Sequence, residues 1–343
     1  MTLQERIDAL VALGEYIGRM EGRLEFVIRQ SKLNNGWFTV ENTKLSLKAI
    51  ETEFLERKKL TEWANSYDIQ ENIEPKKVGL ILAGNIPLVG FQDVMNTFVA
   101  GHHALIKCSD KDFYLMRHFI KVLSEINPDT ENYFTVIERL AGFDAVIATG
   151  SNNTARYFET YFKKYPNIIR RNRNSIGVVD GSETEENFRK LADDVFNYFG
   201  LGCRNVAKIY VPEGYDFNPI LEVFHERKLI VNHGKYKNNF DYNIAFHILN
   251  QKPFYNNGSI IMIESPSLQS RIAQLHYEYY SDKAALIEEL ASKEEQIQCV
   301  VGNNSLEGID VIPFGMSQRP TLYDYADGVD VMDFLKLSSN CLL

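Results

Sequence analysis

The first 70 residues have the hydrophobic spacing of helices. Apolar side chains recur at helical intervals from Leu3 to Ile17, and a second helix is predicted over about residues 41–63. The run Asn34-Asn35-Gly36 marks a turn between the two. We therefore expect a helical N-terminal segment over residues 1–70.

From Val78 onward, short apolar runs alternate with amphipathic stretches. Continuous apolar runs suit strands that are buried on both faces of a parallel sheet. Strand followed by helix, repeated, is typical of a doubly wound α/β domain, which we place at residues 71–175. The strand candidates are residues 78–83, 104–108 and 144–148, and the helix candidates are residues 89–100, 112–126 and a stretch from Ser151 to about residue 165.

The second half of the chain predicts another α/β domain. Ser182 and Glu185 stand at the two reciprocal positions of a capping box, which would start the helix that leads to Cys203. Strands are predicted at residues 206–211 and 259–263 with a helix between them, and the polar residues 233–243 predict a surface loop. With boundaries near Ile176 and Ile312, the second domain covers residues 176–311, and residues 312–343 return to the first domain.

Cys203 is the strongest candidate for chemistry. It follows Gly200-Leu201-Gly202 and precedes an apolar run that begins at Val206, so it lies at a helix-to-strand junction. A thiol in such a junction can stay accessible and act as a nucleophile if its neighbours lower its pKa. The alternative is a buried structural cysteine, because unpaired cysteines are among the most buried residues.

Composition narrows the classes of function. The chain has 343 residues, 45% hydrophobic and 24% charged, which suits about two globular domains. With 37 Lys and Arg against 46 Asp and Glu, the net charge of −9 disfavours nucleic-acid binding. The four cysteines lack CxxC or metal-type spacing, so we expect a cytoplasmic protein without a metal site. An export signal and a membrane span are not expected either.

Three segments at predicted strand ends suit a dinucleotide site. Such sites form where the ends of parallel strands meet the starts of helices. A lysine there can reach a ribose hydroxyl or a 2′-phosphate, although each segment alone also fits an ordinary cap or a solvated charge. The GxGxxG fingerprint is missing, since Gly200-Leu201-Gly202 follows a helix instead of a strand. The segments are Gly84-Asn85-Ile86-Pro87, Lys107-Cys108-Ser109 and Thr149-Gly150-Ser151.

The order of these segments, ending at Gly202-Cys203, resembles the aldehyde dehydrogenase superfamily. More narrowly, the chain resembles the acyl-CoA reductase family of bacterial luminescence (LuxC-type). The resemblance implies an α/β fold of the aldehyde dehydrogenase type, with two Rossmann-like domains, cofactor-binding and catalytic, and a helical N-terminal segment. The narrower resemblance rests on Trp37-Phe38-Thr39, Pro313-Phe314-Gly315-Met316-Ser317-Gln318 and Asp324-Tyr325-Ala326-Asp327-Gly328.

The resemblance also implies roles for individual residues. Cys203 matches the nucleophile, and Asn85 matches the amide that forms an oxyanion hole with the backbone N–H of the cysteine. The implied cofactor is NADP or NAD, and the implied substrate is a coenzyme A thioester. The matching cofactor residues are Lys107 and Ser109 on the adenosine-ribose side, Gly150 and Ser151 at the pyrophosphate, and Phe314 beside the nicotinamide.

Two departures from the superfamily bear on the reaction. Residues 165–177 contain no acid where hydrolytic members hold a glutamate that activates water. Without a base, hydrolysis of an acyl-enzyme should be slow, which favours reduction by hydride. Arg170, Arg171 and Arg173 of this stretch would either help the thiolate or a CoA phosphate, or be solvated. Ile312 stands where many relatives carry a glutamate that holds the nicotinamide ribose.

The expected function is NAD(P)H-dependent reduction of a fatty acyl-CoA or acyl thioester to the aldehyde through an acyl-cysteine. One alternative is a cysteine acyltransferase or thioesterase without nicotinamide, and another is a catalytically degenerate binding subunit of an acyl-activating complex. The expected partners are an acyl-CoA or acyl-carrier substrate, an acyl-activating protein and further copies of the chain. His102-His103 and the acidic residues Asp324, Asp327 and Asp330 suit structural roles better than metal ligation.

Overall fold

A computed structural model describes residues 1–70 and 74–340, with side chains described as far as Lys336. The chain divides into two compact units. Unit 1 comprises Met1–Asn172 together with Pro320–Leu343, and unit 2 comprises Arg173–Arg319.

Unit 1 begins with four helices. Helix α1 (Leu3–Arg19) starts at a capping box between Thr2 and Glu5. Two breaks interrupt the helix predicted over residues 41–63: a π-helical turn, Ile50–Phe54, and then Glu56, whose carboxylate caps the next helix by accepting from Lys58 N and Lys59 N. The other three helices are α2 (Arg23–Asn34), α3 (Val40–Ala49) and α4 (Arg57–Asn65).

The sheet of unit 1 has five parallel strands in the order β3-β2-β1-β4-β5. The order runs outward in both directions from β1, so the sheet is doubly wound, with the switch point between β1 and β4. Its strands are β1 (Lys77–Ile81), β2 (His103–Lys107), β3 (Phe134–Val136), β4 (Ala145–Thr149) and β5 (Asn167–Arg170), and its helices are α5 (Phe91–Val99), α6 (Leu115–Ile126) and α7 (Asn152–Phe162).

Both faces of this sheet are buried, as the apolar runs predicted. Ile106 packs into one core cluster and its neighbour Leu105 into another, because successive strand residues point to opposite faces. Leu10 and Trp63 of the N-terminal helices share the Ile106 cluster. The helices of residues 1–70 therefore belong to the same compact unit as the sheet, instead of forming a separate segment.

The C-terminal segment is tied to unit 1 by hydrogen bonds. Trp63 Nε1 donates to Tyr325 Oη at 2.9 Å, and Tyr67 Oη donates to Asp330 Oδ2 at 2.7 Å. The last helix, α12 (Val331–Asn340), follows Asp330. This segment begins at Pro320, not at the predicted residue 312, because residues 311 and 312 pair with a strand of unit 2.

Unit 2 contains a seven-stranded sheet in the order β12-β11-β6-β7-β10-β9-β8, parallel except for β8. Its first strand begins at Asn174, so the boundary predicted at Ile176 cuts a strand. The strands are β6 (Asn174–Val178), β7 (Val206–Pro212), β8 (Tyr255–Asn256), β9 (Ile261–Glu264), β10 (Gln274–Tyr280), β11 (Ile297–Gly302) and β12 (Val311–Ile312), and the helices are α8 (Glu185–Phe196), α9 (Asn218–His225), α10 (Gly234–Leu249) and α11 (Lys283–Ser292).

Two local predictions in unit 2 were wrong. Residues 233–243 are not a loop: they start α10, whose buried side chains include Tyr236, Phe240 and Asn243. The capping box of α8 pairs Thr184 with Asn187, while the hydroxyl of Ser182 donates to Asp180. Within the described ranges 1–70 and 74–340, no helix is long and apolar enough to cross a membrane.

Candidate functional site

Cys203 lies in a tight turn between α8 and β7. Tyr198, Phe199 and Gly200 all have positive φ angles, of 53°, 59° and 74°. This conformation is uncommon for residues other than glycine, and it recurs at functional sites that the surrounding structure holds in place. The Phe199 ring lies over His233, with the ring centroids 4.3 Å apart. The turn before Cys203 therefore contains two residues other than glycine, Tyr198 and Phe199, in an energetically unfavourable backbone conformation.

A buried asparagine holds this turn. The Asn205 Oδ1 atom accepts from the backbone N of Gly202 at 2.8 Å, and its Nδ2 atom donates to the carbonyls of Asp194 at 2.9 Å and Asn197 at 2.8 Å. Asn205 is 2% exposed, so these bonds replace water that the amide cannot reach. The residue before Cys203 is therefore fixed to the end of α8.

A hydrogen bond from Ser175 of β6 also holds the backbone of Cys203. The Ser175 hydroxyl donates to the Cys203 carbonyl at 3.0 Å and lies 3.0 Å from the Cys299 Sγ atom. Because the serine proton goes to the carbonyl, the Cys299 thiol is the donor in the second contact. Burial raises the pKa of Cys299 to about 11, so this thiol keeps its proton at neutral pH.

The two thiols of unit 2 therefore differ in environment. Cys203 is half-buried, whereas Cys299 is buried. Cys108 of unit 1 is half-buried as well, and the fourth cysteine, Cys341, lies outside the described residues. Exposure and the preceding turn make Cys203 the candidate nucleophile in unit 2.

A second segment of unit 2 is bound to the same region through Asp194. Its Oδ2 atom accepts from Gly315 N at 2.6 Å, and its Oδ1 atom accepts from Ser317 N at 3.0 Å and Ser317 Oγ at 2.7 Å. Arg204 Nε donates to the Ser317 carbonyl at 2.7 Å. Phe314, predicted to lie beside a nicotinamide, is 3% exposed and packs in the core of unit 2.

The predicted cofactor residues of unit 1 share one edge of its sheet. Lys107 ends β2, Ser109 follows it, and Gly150 and Ser151 follow β4, with β1 between the two strands. Gly84, after β1, approaches so closely that an added Cβ would lie 2.5 Å from Ser109 Oγ. The structure thus brings these segments together at the carboxyl edge, where α/β folds bind ligands.

The start of α7 suits an anion. Ser151 caps this helix by accepting from Thr154 N at 3.3 Å, and its own side chain is exposed. The first N–H groups of a helix carry partial positive charge and can bind phosphate. Gly150 leaves little room for a side chain, because a Cβ there would lie 3.0 Å from the Thr154 side chain. These residues fit the pyrophosphate of a dinucleotide.

The loop that carries Asn85 is anchored by a buried carboxylate. Leu88, three residues later, has a φ angle of 58°, and its N–H donates to Asp112 Oδ2 at 2.6 Å. Ser46 Oγ donates to the Pro87 carbonyl at 2.8 Å. Burial raises the pKa of Asp112 to about 7, and the Leu88 bond partly offsets that rise. Asn85 itself is half-buried in this fixed loop.

The arginines of residues 165–177 are engaged within the protein. Arg170 is buried and makes a bidentate ion pair with Asp93, at 2.5 and 2.8 Å. The prediction that its side chain is solvated is therefore wrong. Arg171 pairs with Glu159, and Arg173 donates to the carbonyls of Glu294 and Ile297.

The histidine and aspartate candidates for metal binding have structural partners. His102 accepts from Lys76 N at 3.3 Å and donates to the Leu335 carbonyl at 3.2 Å. Asp324 accepts from Thr321 N, and Asp330 accepts from Met332 N at the start of α12. Over residues 1–70 and 74–340, no group of three or more His, Cys, Asp or Glu side chains could hold a metal ion.

Comparison with solved structures identifies the fold. Aldehyde dehydrogenase 21 of Physcomitrella patens, solved with its reaction product succinate, aligns with a TM-score of 0.67 and 11% identity over 99% of this chain and 85% of that one. Aldehyde dehydrogenase C of Pseudomonas syringae, solved as a C291A mutant with NAD+ and octanal, aligns with a TM-score of 0.62 and 12% identity over 89% and 73%. At this identity the likeness shows the fold alone.

Sequence comparison identifies the family. A curated relative, the long-chain acyl-protein thioester reductase of Aliivibrio fischeri, is 21% identical over an alignment of 168 positions, which covers 44% of this chain and 35% of that protein. The match thus spans about a third of the relative's length. The model of the family described as acyl-CoA reductase (LuxC) matches residues 30–228, more than half of the chain. The chain therefore belongs to the acyl-CoA reductase (LuxC) family.

Proposed function

We propose that this chain reduces an acyl thioester, such as a fatty acyl-CoA, to the aldehyde through an acyl group held on Cys203. The observation that carries the proposal is the half-buried Cys203 thiol, which stands at the end of a strained turn fixed by Asn205 and Ser175. Membership of the LuxC family and the likeness to a long-chain acyl-protein thioester reductase support the same chemistry.

The proposed reaction has two halves. In the first, the Cys203 thiolate attacks the thioester carbonyl, the acyl–sulfur bond of the substrate breaks, and CoA leaves as its thiol after taking a proton. NAD(P)H, when bound, supplies the hydride that reduces the acyl carbon. In the second half, the oxyanion left by hydride addition collapses, the Cys203–carbon bond breaks, and the aldehyde leaves with the Cys203 thiolate restored. Asn85 is proposed to donate to the oxygen on which negative charge develops.

The proposed cofactor site uses the carboxyl edge of the unit 1 sheet. Gly150 and the Ser151 cap would hold the pyrophosphate at the start of α7, and Lys107 and Ser109 would contact the adenosine ribose. The close approach of Gly84 to Ser109 fits a cradle with no room for a larger side chain. The role proposed for Phe314, beside the nicotinamide, rests on the family resemblance, and the cofactor is NADP or NAD.

The absence of acid in residues 165–177 supports reduction over hydrolysis. A water molecule needs a base to attack an acyl thioester at a useful rate. The charged side chains in this stretch are the arginines, and Arg170 and Arg171 already pair with carboxylates of unit 1. An acyl-Cys203 intermediate would then survive until a hydride reaches it. Delivery of the acyl group by an acyl-activating protein and assembly into a homo-oligomer remain predictions.

Intact-mass spectrometry tests the proposal. The protein is incubated with octanoyl-CoA without nucleotide, and we expect the mass to increase by one octanoyl group. C203A should gain nothing, while C108A, which removes the half-buried thiol of unit 1, should be acylated as the native protein is. Addition of NADPH should discharge the adduct and release octanal.

Two outcomes would contradict the proposal. Acylation of C203A would place the adduct on another residue. Rapid loss of the adduct to free octanoic acid without nucleotide, or transfer to an added alcohol or amine in preference to reduction, would identify a thioesterase or acyltransferase.

A further inference from the structure

Asp194 is a carboxylate on the apolar face of α8. It is fully buried, at 0% exposed, among residues such as Leu191 and Val195 that form the core of unit 2. Its three side-chain hydrogen bonds come from neutral donors, all in the segment Gly315–Ser317. A buried charge is costly unless it is hydrogen-bonded, so the ionised carboxylate depends on these three bonds.

The bonds around Asp194 reach both neighbours of Cys203. On one side, the Asp194 carbonyl accepts from Asn205, and Asn205 accepts from Gly202 N. On the other side, Arg204 donates to the carbonyl of Ser317, whose N–H and hydroxyl both donate to the Asp194 carboxylate. One hydrogen-bond network, which includes Asp194, thus connects the Cys203 turn to the segment 315–317.

We propose that Asp194 is a positioning residue that couples the 315–317 segment to the Cys203 turn and so fixes the reactive sulfur. This inference rests on the proposed function only for its catalytic consequence. The coupling between the two segments is a property of unit 2 that can be measured without substrate.

The buried charge of Asp194 affects the stability of the folded protein as well as the position of the Cys203 turn. Burial raises the pKa of Asp194 to about 6, although the bonds from Ser317 and Gly315 oppose the rise. The ionised carboxylate therefore lowers the stability of the folded protein at neutral pH. A neutral residue of the same shape relieves this cost but gives up one hydrogen bond, so the melting temperature of the variant is measured beside its reactivity.

The informative variant is D194N. Its amide oxygen can still accept from Ser317, but its NH2 group would face the N–H of Gly315, a donor against a donor at the place of the 2.6 Å bond. The matched control is D193N. Asp193 is the preceding residue of the same helix, half-exposed, and it pairs with Arg227 at the surface.

The first measurement is amide hydrogen exchange at pH 7.5 on the full chain. In D194N, peptides that cover residues 198–206 and 313–319 should exchange about tenfold faster or more, which corresponds to the loss of one bond to a charged group. Peptides from β7, β10 and β11 should keep their native rates, and D193N should match the native protein throughout. Unchanged exchange at residues 198–206 would overturn the coupling. Faster exchange throughout unit 2 with a lower melting temperature would mean that Asp194 stabilises the whole unit, and it would overturn the proposed positioning role.

The second measurement is the rate of acyl-Cys203 formation from octanoyl-CoA. D194N should lower the rate at saturating octanoyl-CoA by about tenfold or more with little change in the concentration for half-saturation, because misplacement of the nucleophile slows attack without weakening binding. A native rate in D194N would overturn the positioning role. If the native protein gains no acyl group, the proposed function fails, and the exchange experiment still decides the coupling.

Discussion

Cys203 and Cys299 both lie within reach of Ser175, but they are suited to different chemistry. The serine hydroxyl donates to the Cys203 carbonyl and accepts from the Cys299 thiol. Burial raises the pKa of Cys299 to about 11, so the thiol stays protonated. It donates to the Ser175 hydroxyl, which in turn donates to the backbone carbonyl of Cys203. Only a thiolate is a good nucleophile, so of these two cysteines the half-buried Cys203 is the one that we propose as the nucleophile.

Alkylation should separate these two residues. With iodoacetamide at pH 7.5 and peptide mass spectrometry, we expect Cys203 to be labelled in the folded protein and Cys299 to be labelled only after unfolding in urea. Cys108, which is half-buried, serves as an internal reference for an accessible thiol of unit 1. Equal labelling rates for Cys299 and Cys203 in the folded protein would contradict this assignment.

The raised pKa of Asp194 predicts a pH-dependent stability. Its pKa is about 6 in the folded protein against 3.8 as its ordinary value, so the folded state binds the proton more tightly. The resulting contribution to the free energy of unfolding is fully present below pH 3.8 and is lost as the pH rises through about 6. Its size is about 3 kcal/mol.

Urea unfolding of the native protein and D194N checks this contribution. The free energy of unfolding of the native protein minus that of D194N should fall by about 2 kcal/mol between pH 4 and pH 7.5, since part of the contribution is already lost at pH 4 and Asn does not titrate. A difference that is flat over this range would mean that the Asp194 carboxylate is not buried as described.

Among the secondary-structure elements, apolar runs predicted β1, β2, β4, β7 and β9, because both faces of each sheet are buried, whereas the other strands were not predicted. The polar start of α10 was not predicted, since its lysines and asparagines outnumber the buried Tyr236 and Phe240. Tertiary packing, which local composition does not report, decides that segment. The capping box shifted to Thr184 because Asn187 supplies the reciprocal amide, while the Glu183 carboxylate accepts from the N–H groups of Asp180 and Gly181.

The buried pair between α5 and β5 should matter more to stability than its exposed neighbour. D93A would leave the Arg170 charge buried without its carboxylate, and we expect it to lower the free energy of unfolding by about 3–5 kcal/mol. E159A breaks the exposed pair with Arg171 and should cost about 1 kcal/mol or less.

Urea unfolding of both variants measures this contrast. The double variant D93A/R170M should recover part of the loss, because it removes the stranded charge. Equal losses of the free energy of unfolding in D93A and E159A would contradict the burial of the Asp93–Arg170 pair.

At the scale of the whole molecule, the order of short motifs along the chain predicted the family and the fold. The same motifs placed Cys203 at a turn, and Lys107, Ser109 and Gly150 at one sheet edge. The supporting residues were not predicted, because Ser175, Asn205 and Cys299 are single residues whose roles arise from contacts between distant segments. Asp194 carried the one usable signal, a carboxylate in phase with the apolar face of α8.

Isotope transfer would show whether the hydride reaches an acyl carbon held on Cys203. Protein acylated by octanoyl-CoA and freed of excess substrate is mixed with NADPH deuterated at the transferred position of C4. We expect octanal with one deuterium on C1, in an amount equal to the acylated protein, and none from C203A. Unlabelled octanoic acid as the product, or labelled octanal from C203A, would contradict it.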